Sequence, residues 1–198
     1  MLIAHHPIIL ASGSAIRQHM LKAVGVPFSV APSGVDEEAL KPTLSAFSPA
    51  EKGMKLAEAK ALAVSGNQPQ AYVIGADQIC VVDGEILDKP LTYPNAQAQL
   101  EKLSGKTHQQ ISSAVIAHGG QIIWRYADAA LLTLRVLTRE EIARYLAADA
   151  PLQSCGSYKF EALGRNLFAS AEGDHDAIKG LPLTPLLAAL HAHGIVSL

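Results

Sequence analysis

The sequence predicts an α/β fold built on a mixed sheet, and three observations carry that prediction. In the first third of the chain, short apolar runs of strand length alternate with segments of helical spacing. In the middle, AYVIGADQICVVDGEILDKP (71–90) joins an apolar run to a hairpin that turns at Asp83-Gly84. Two long strand patterns, 107–117 and 121–137, then meet at Gly119-Gly120. Hairpins set among alternating helices and strands favour a mixed sheet over a plain doubly wound one. With 198 residues, the chain is long enough for one sizeable core shared by two lobes.

Taken in order, Ile8 to Ala11 reads as a buried strand, and Ser12-Gly13-Ser14 as a turn. A helix follows from Ala15 to Val24, with Ile16, Met20, Leu21 and Val24 at helical spacing and Ser14 as its N-cap. Pro27 to Ala31 forms a second strand, and Pro32 to Pro49 is loop-rich, with acidic Asp36-Glu37-Glu38. Pro49 to Ser65 is a helix, with Pro in its first turn, Glu51 beside it and Gly66 just past its end. The strand from Ala71 to Ala76 leads into the hairpin, and Asn95 caps a helix running to Leu103. After the two long strands, Thr138 and Glu141 form a capping box for a helix through Ala148. Beyond Pro151 the chain is rich in turns, with a strand at Phe168 to Ala171, an exposed turn at Asp174-His175-Asp176, and a final helix from Pro185 to His193 ended by Gly194.

Composition narrows the function. A net charge of -2 gives no global basic field, which disfavours a nucleic-acid surface while leaving room for a local cationic pocket. Hydrophobic content of 49% excludes disorder, and no apolar run is long enough to span a membrane. The opening MLIAHHPIILAS lacks a basic region, and Pro7 interrupts it, so it reads as a first core strand rather than a signal peptide. Cys80 and Cys155 lie far apart, without metal-ligand or redox spacing, which fits a reducing, cytoplasmic setting.

Several residues could carry chemistry. Ser12, Ser14 and Arg17 at a helix start could converge on a phosphate, although a capping serine with a solvated arginine would look the same. Lys60 lies near the apolar face of its helix, where a solvent-facing lysine is the default. Glu37 sits in an acidic loop. Asp77 closes an apolar run, as expected of a carboxylate delivered at the carboxyl end of a strand, and would serve as a general base or as a ligand of a divalent cation. Lys89 returns towards it after the hairpin. Gly105-Lys106-Thr107 resembles the end of a P-loop, but Leu100 stands where the first glycine is required.

Read together, LASGSAIRQHML, LAEAKA, GADQICVVDGEILDKP, KLSGKTH, CGSYKFEALG and GLPL resemble the Maf family of nucleotide pyrophosphatases, in family order over nearly the whole chain. Within that family the chain is most similar to the 7-methyl-GTP pyrophosphatases, on Ile16, Gln78 and Glu161, where the dTTP/UTP-type members carry Arg, Thr and Gln. The 7-methyl-GTP subfamily itself has Trp at the position of Ile16. The resemblance implies a single Maf-like domain over 1–198, with a two-lobed, ITPase-like α/β fold: an elongated mixed β-sheet flanked by helices around a central cleft. It implies hydrolysis of a nucleoside triphosphate to the monophosphate and pyrophosphate, with a divalent cation, Mg or Mn. Asp77 falls on the family's catalytic acidic position; Ser12, Arg17, Glu37, Lys60 and Lys89 fall on its other polar site positions. The resemblance further implies phosphate binding by Ser12, Ser14, Arg17, Lys60 and Lys89, a metal held by Glu37 and Asp77, and base selection by Ile16, Gln78 and Glu161. The partner is then a nucleotide, without nucleic acid or membrane, and the family is compatible with a homodimer. The alternatives are a dTTP/UTP pyrophosphatase and a non-catalytic nucleotide-binding regulator of cell division.

Overall fold

The computed structural model describes residues 2–198. In chain order the strands and helices are β1 (Ile3–Ala4), β2 (Ile8–Leu10), α1 (Ala15–Ala23), β3 (Ser29–Val30), α2 (Glu37–Leu40) and α3 (Pro49–Ser65). Next come β4 (Tyr72–Val82), β5 (Glu85–Leu87), α4 (Tyr93–Leu103), β6 (Thr107–His118), β7 (Gln121–Leu134) and α5 (Arg139–Asp149). The chain closes with β8 (Phe168–Glu172), α6 (His175–Ile178), α7 (Leu183–Ala192) and β9 (Val196–Ser197). Among the described residues no helix is long and apolar enough to cross a membrane.

The chain divides into two compact units, one of residues 1–77, 112–128 and 180–198, the other of 78–111 and 129–179. In the first unit the strand order is β3-β2-β4-β6-β7, with β2 parallel to both β3 and β4, and β1 pairs β9 antiparallel in a separate ribbon. Strand alternation sends successive residues to opposite faces. Ile8, Leu10 and Ile74 pack with Leu21, Leu186 and Leu190 of α1 and α7, while Ile9 and Val73 pack with Ala57 and Ala61 of α3. Both faces are covered, which is why β2 reads as an unbroken apolar run rather than an alternating one.

In the second unit β5 and β8 add antiparallel to β4 and β7, so the sheet is mixed, as the hairpin pattern predicts. Asp83 and Gly84 adopt φ of 50° and 79°, the left-handed pair that a two-residue hairpin demands. Leu100 and Leu103 of α4 and Ile142 of α5 pack there on Leu132 and Leu134 of β7.

Capping explains where the longer helices begin. Ser48 and Glu51 form a capping box before α3, and Thr138 and Glu141 form the one expected before α5. Elsewhere the structure departs from the sequence expectation. Ser14 occupies the N-cap of α1, but its side chain makes no capping bond. Asn95 lies inside α4, whose cap is Thr92. The acidic segment after Pro32 is not all loop, because the Asp36 carboxylate accepts from Ala39 N and starts α2. Asp174 caps α6 in the same way, replacing the expected exposed turn. The largest difference concerns β4. It does not stop at Ala76 but runs through Asp77 and Gln78 to Val82, so Asp77 is a mid-strand residue and not a strand end. Polar residues inside an apolar run read locally as punctuation, and pairing with neighbouring strands overrides that reading.

Gly75 is the position on which the packing of α3 turns. A Cβ built there would lie 2.3 Å from Ala57 O and 2.8 Å from the Ala61 Cβ, so only glycine lets the helix backbone approach β4 this closely. Ala57 and Ala61, both fully buried, keep the helix side of that contact equally thin. Substituting Gly75→Ala is expected to destabilise the protein by about 2–3 kcal/mol, the cost of overpacking a filled core. Gly13→Ala, with nothing within 4 Å of its new methyl, should stay within about 0.5 kcal/mol. Urea unfolding of both variants checks the contrast.

Candidate active site

The close approach of α3 to β4 sets one side chain against another. Lys60 lies on the buried face of α3, between Ala57 and Ala61. Its Nζ donates to Asp77 Oδ1 at 2.6 Å and pairs with Glu37 Oε1 at 3.0 Å. One ammonium therefore bridges two carboxylates, with Asp77 buried and Glu37 partly exposed. The expectation of a solvent-facing Lys60 is overturned: its stem lies along the apolar face of the helix, and its charge is met by partners far away in the sequence. Glu37 reaches Lys60 from the first residue of α2, where the Asp36 cap holds it.

Burial pushes the Asp77 carboxyl above its ordinary range, and the Glu37 carboxylate adds to that push. The Lys60 ammonium and the Arg17 guanidinium pull the other way without cancelling it. A carboxylate so placed is a stronger proton acceptor than a solvated aspartate.

The turn between β2 and α1 supplies the second element of the site. Ser12 Oγ accepts from Ser14 N at 3.2 Å and from Arg17 Nη1 at 3.2 Å. The same guanidinium donates from Nη1 to Ala76 O at 3.0 Å and from Nε to Gly180 O at 2.8 Å. Arg17 thus fastens three pieces of backbone or side chain: the serine turn, the residue preceding Asp77, and the segment that enters α7. The Ser14 side chain makes no capping bond to α1, so the N–H groups of the first helical turn are not taken up by it. Ile16, on the first turn of α1, is partly buried against the core of this unit.

The first unit therefore brings together Ser12, Ser14, Arg17, Glu37, Lys60 and Asp77. Gln78, Lys89 and Glu161 belong to the second unit. Strand alternation turns Gln78 to the face opposite Asp77. Its Nε2 donates to Ile178 O at 2.6 Å and to Ala177 O at 3.4 Å, which engages the donor half of the amide and leaves the oxygen as its acceptor. Lys89 is exposed, and among the described residues its ammonium has neither an ion pair nor a hydrogen bond. Glu161 is also exposed and follows Phe160, whose ring is buried in the core of the second unit.

Sequence reasoning missed the carbonyl of Gly180 as a partner of Arg17, and it treated Asn95 only as a cap. The GLPL motif marked the first of these positions but gave no sign of its partner. Among the described residues no group of three or more His, Cys, Asp or Glu side chains is gathered for a metal ion. Two carboxylates with hard oxygen donors do suit a magnesium-sized cation, which is commonly held by one or two carboxylates together with substrate phosphates and water.

The chain matches the family described as Maf-like protein over residues 7–193. A nucleoside triphosphate pyrophosphatase of Legionella pneumophila (strain Philadelphia 1) is 46% identical over 184 residues, 93% of this chain and 92% of that protein. A protein of the same name from Nitrobacter winogradskyi is 41% identical over 194 residues, 97% of this chain and 96% of the other. A looser likeness, to the Ham1 protein of Staphylococcus aureus, has 15% identity and a TM-score of 0.38, covering 66% of this chain and 72% of that one, too low to build on. With the match running from the first core strand to the end of the last helix, and with relatives aligned along nearly their whole length, the chain belongs to the Maf family.

Proposed function

We propose that the chain is a nucleoside triphosphate pyrophosphatase that hydrolyses 7-methyl-GTP to 7-methyl-GMP and pyrophosphate. The observation that carries the chemistry is the buried Asp77 carboxylate held by Lys60, close to an anion-competent helix start. Asp77 takes the proton of the attacking water as its oxygen bonds to the α-phosphorus and the bond to the departing pyrophosphate breaks. Its raised affinity for protons, set mainly by burial, suits it to that step. Lys60 fixes the direction of the carboxylate and offsets its charge. Negative charge grows on the phosphoryl oxygens and on the leaving group, where the helix-start N–H groups, Ser12, Ser14, Arg17 and Lys89 are assigned. Asp77 and Glu37 would hold a Mg or Mn ion, which supplies further neutralisation of the triphosphate when bound.

Base selection rests on acceptors. The Watson–Crick edge of a 7-methylguanine offers donors at N1 and N2, and its ring carries positive charge. Glu161 is a carboxylate that accepts such donors and offsets that charge, and the Gln78 amide retains its oxygen as an acceptor because its N–H groups are engaged. Ile16 adds apolar contact to the ring. A uracil or thymine edge, with one donor between two acceptors, gains less from two acceptors. Hydrolysis of dTTP and UTP is the competing reading. A regulator that only binds nucleotide is less favoured, because binding alone needs no poised base.

Asp77→Asn is expected to lower kcat by about 10²- to 10⁴-fold in a protein that still folds, with a lower urea midpoint because Lys60 loses its buried carboxylate partner and keeps Glu37. In the parent enzyme, kcat/KM should fall with acid through a group titrating above 3.8, since Asp77 must be ionised to accept a proton and burial raises its pKa from that value. Turnover that survives the substitution would remove Asp77 as the base. Glu161→Gln should shift relative kcat/KM from 7-methyl-GTP towards dTTP and UTP by about 10-fold or more, the worth of a charge-assisted hydrogen bond. Unchanged ratios would refute the selectivity argument. Chelation with EDTA should abolish pyrophosphate release and added Mg²⁺ or Mn²⁺ restore it; full activity in EDTA would count against the metal.

A further inference from the structure

Lys89 occupies an unusual setting in the second unit. Its own ammonium is unpaired among the described residues, yet the backbone on both sides of it is tied down. The carbonyl of Asp88 accepts from Gln99 Nε2 at 2.8 Å, and the carbonyl of Pro90 accepts from Asn95 Nδ2 at 3.0 Å. Asn95 and Gln99 are four residues apart on α4, so one helix face presents both amides to one three-residue segment. One turn further along, Lys102 pairs with Glu85 at the start of β5 and fastens the same stretch at its other end.

The Gln99 amide is itself oriented. Ser157 Oγ donates to Gln99 Oε1 at 2.6 Å, which leaves the amide N–H groups for Asp88. Ser157 is fully buried and holds φ of 61°, a left-handed conformation that a residue with a Cβ rarely adopts. Leu91, immediately after Lys89-Pro90, also has φ of 61°, and its N–H donates to Leu152 O at 3.0 Å. Two strained non-glycine residues therefore flank one hydrogen-bonded chain, and strain of this kind persists where the surroundings over-determine the backbone. The segments so joined are the one that carries Lys89 and the loop that leads, through Tyr158 and Phe160, to Glu161.

We propose that Ser157, Gln99 and Asn95 are positioning residues for Lys89: a side-chain relay that fixes the backbone on both sides of the lysine so that its ammonium meets the phosphates without reorganising. The inference rests on the assignment of Lys89 to the phosphates. A preset cation acts most strongly on charge that develops in the transition state. Loss of the relay is therefore read in kcat more than in KM.

The test is a double-mutant cycle on pyrophosphate release from 7-methyl-GTP, dTTP and UTP, using the full chain. Gln99→Ala should lower kcat by between about 10- and 100-fold with KM changed less, the scale of a small misplacement of a catalytic group. In a Lys89→Ala background the same substitution should have an effect of less than about 2-fold, since nothing remains to position. Asn95→Ala, on an exposed side chain, should repeat the pattern if Gln99→Ala proves poorly folded by thermal unfolding. Equal losses in the two backgrounds would show a merely structural role and overturn the relay while leaving the Lys89 assignment in place. Full activity of Lys89→Ala itself would overturn that assignment and the relay with it.

Discussion

Everything at the candidate site depends on one buried ion pair, Lys60 with Asp77. A lysine and an aspartate taken out of water cost several kcal/mol each in desolvation unless they meet with good geometry. Here they meet at 2.6 Å, and Glu37 gives the ammonium a second acceptor. The arrangement is possible because Gly75 and the alanines of α3 remove the side chains that would otherwise separate helix from strand. Small residues at that contact therefore serve the charge and not only the core. The pair is better understood as a device for holding a poised carboxylate than as a source of stability, since isosteric apolar residues would fill the space at no greater cost.

Arg17 extends the same logic to the serine turn. Its guanidinium presents donors in a rigid fork, which is why one residue can reach Ser12, the carbonyl of Ala76 and the carbonyl of Gly180 together. A lysine could satisfy one of these partners but not the set. The carbonyl of Ala76 is the atom group next to Asp77 along β4, so the position of the carboxylate is fixed from two sides: by Lys60 through its oxygen and by Arg17 through its backbone.

How much of this could be read from the chain depends on the range of the interactions. The start of α3, the capping box of α5 and the Asp83-Gly84 turn depend on residues within one turn of one another, and local pattern identified each of them. The short helices α2 and α6 were not legible, because four residues carry no periodicity and only their aspartate caps announce them. Local pattern ends β4 at Ala76, because Asp77 and Gln78 look like a strand end until the partners of both are known. Lys60 reads as solvated for the same reason: Asp77 lies 17 residues away, and spacing along a helix says nothing of it. The resemblance to the Maf family picked out these positions without supplying their geometry. The tether of Lys89 by Asn95 and Gln99 gave no sequence signal beyond two amides four residues apart.

β4 places Asp77 and Gln78 side by side in sequence and on opposite faces of a strand. Neighbours on opposite faces do not share packing partners, so the identity of the residue at 78 can change with the base selected while the carboxylate stays fixed. Changes of length are another matter. Inserting or deleting a single residue between Gly75 and Asp77 would turn the carboxylate to the other face of the strand, away from α3. Homologues of this protein that act on other bases should therefore differ at the position just after the aspartate, while the spacing between the aspartate and the glycine hardly changes.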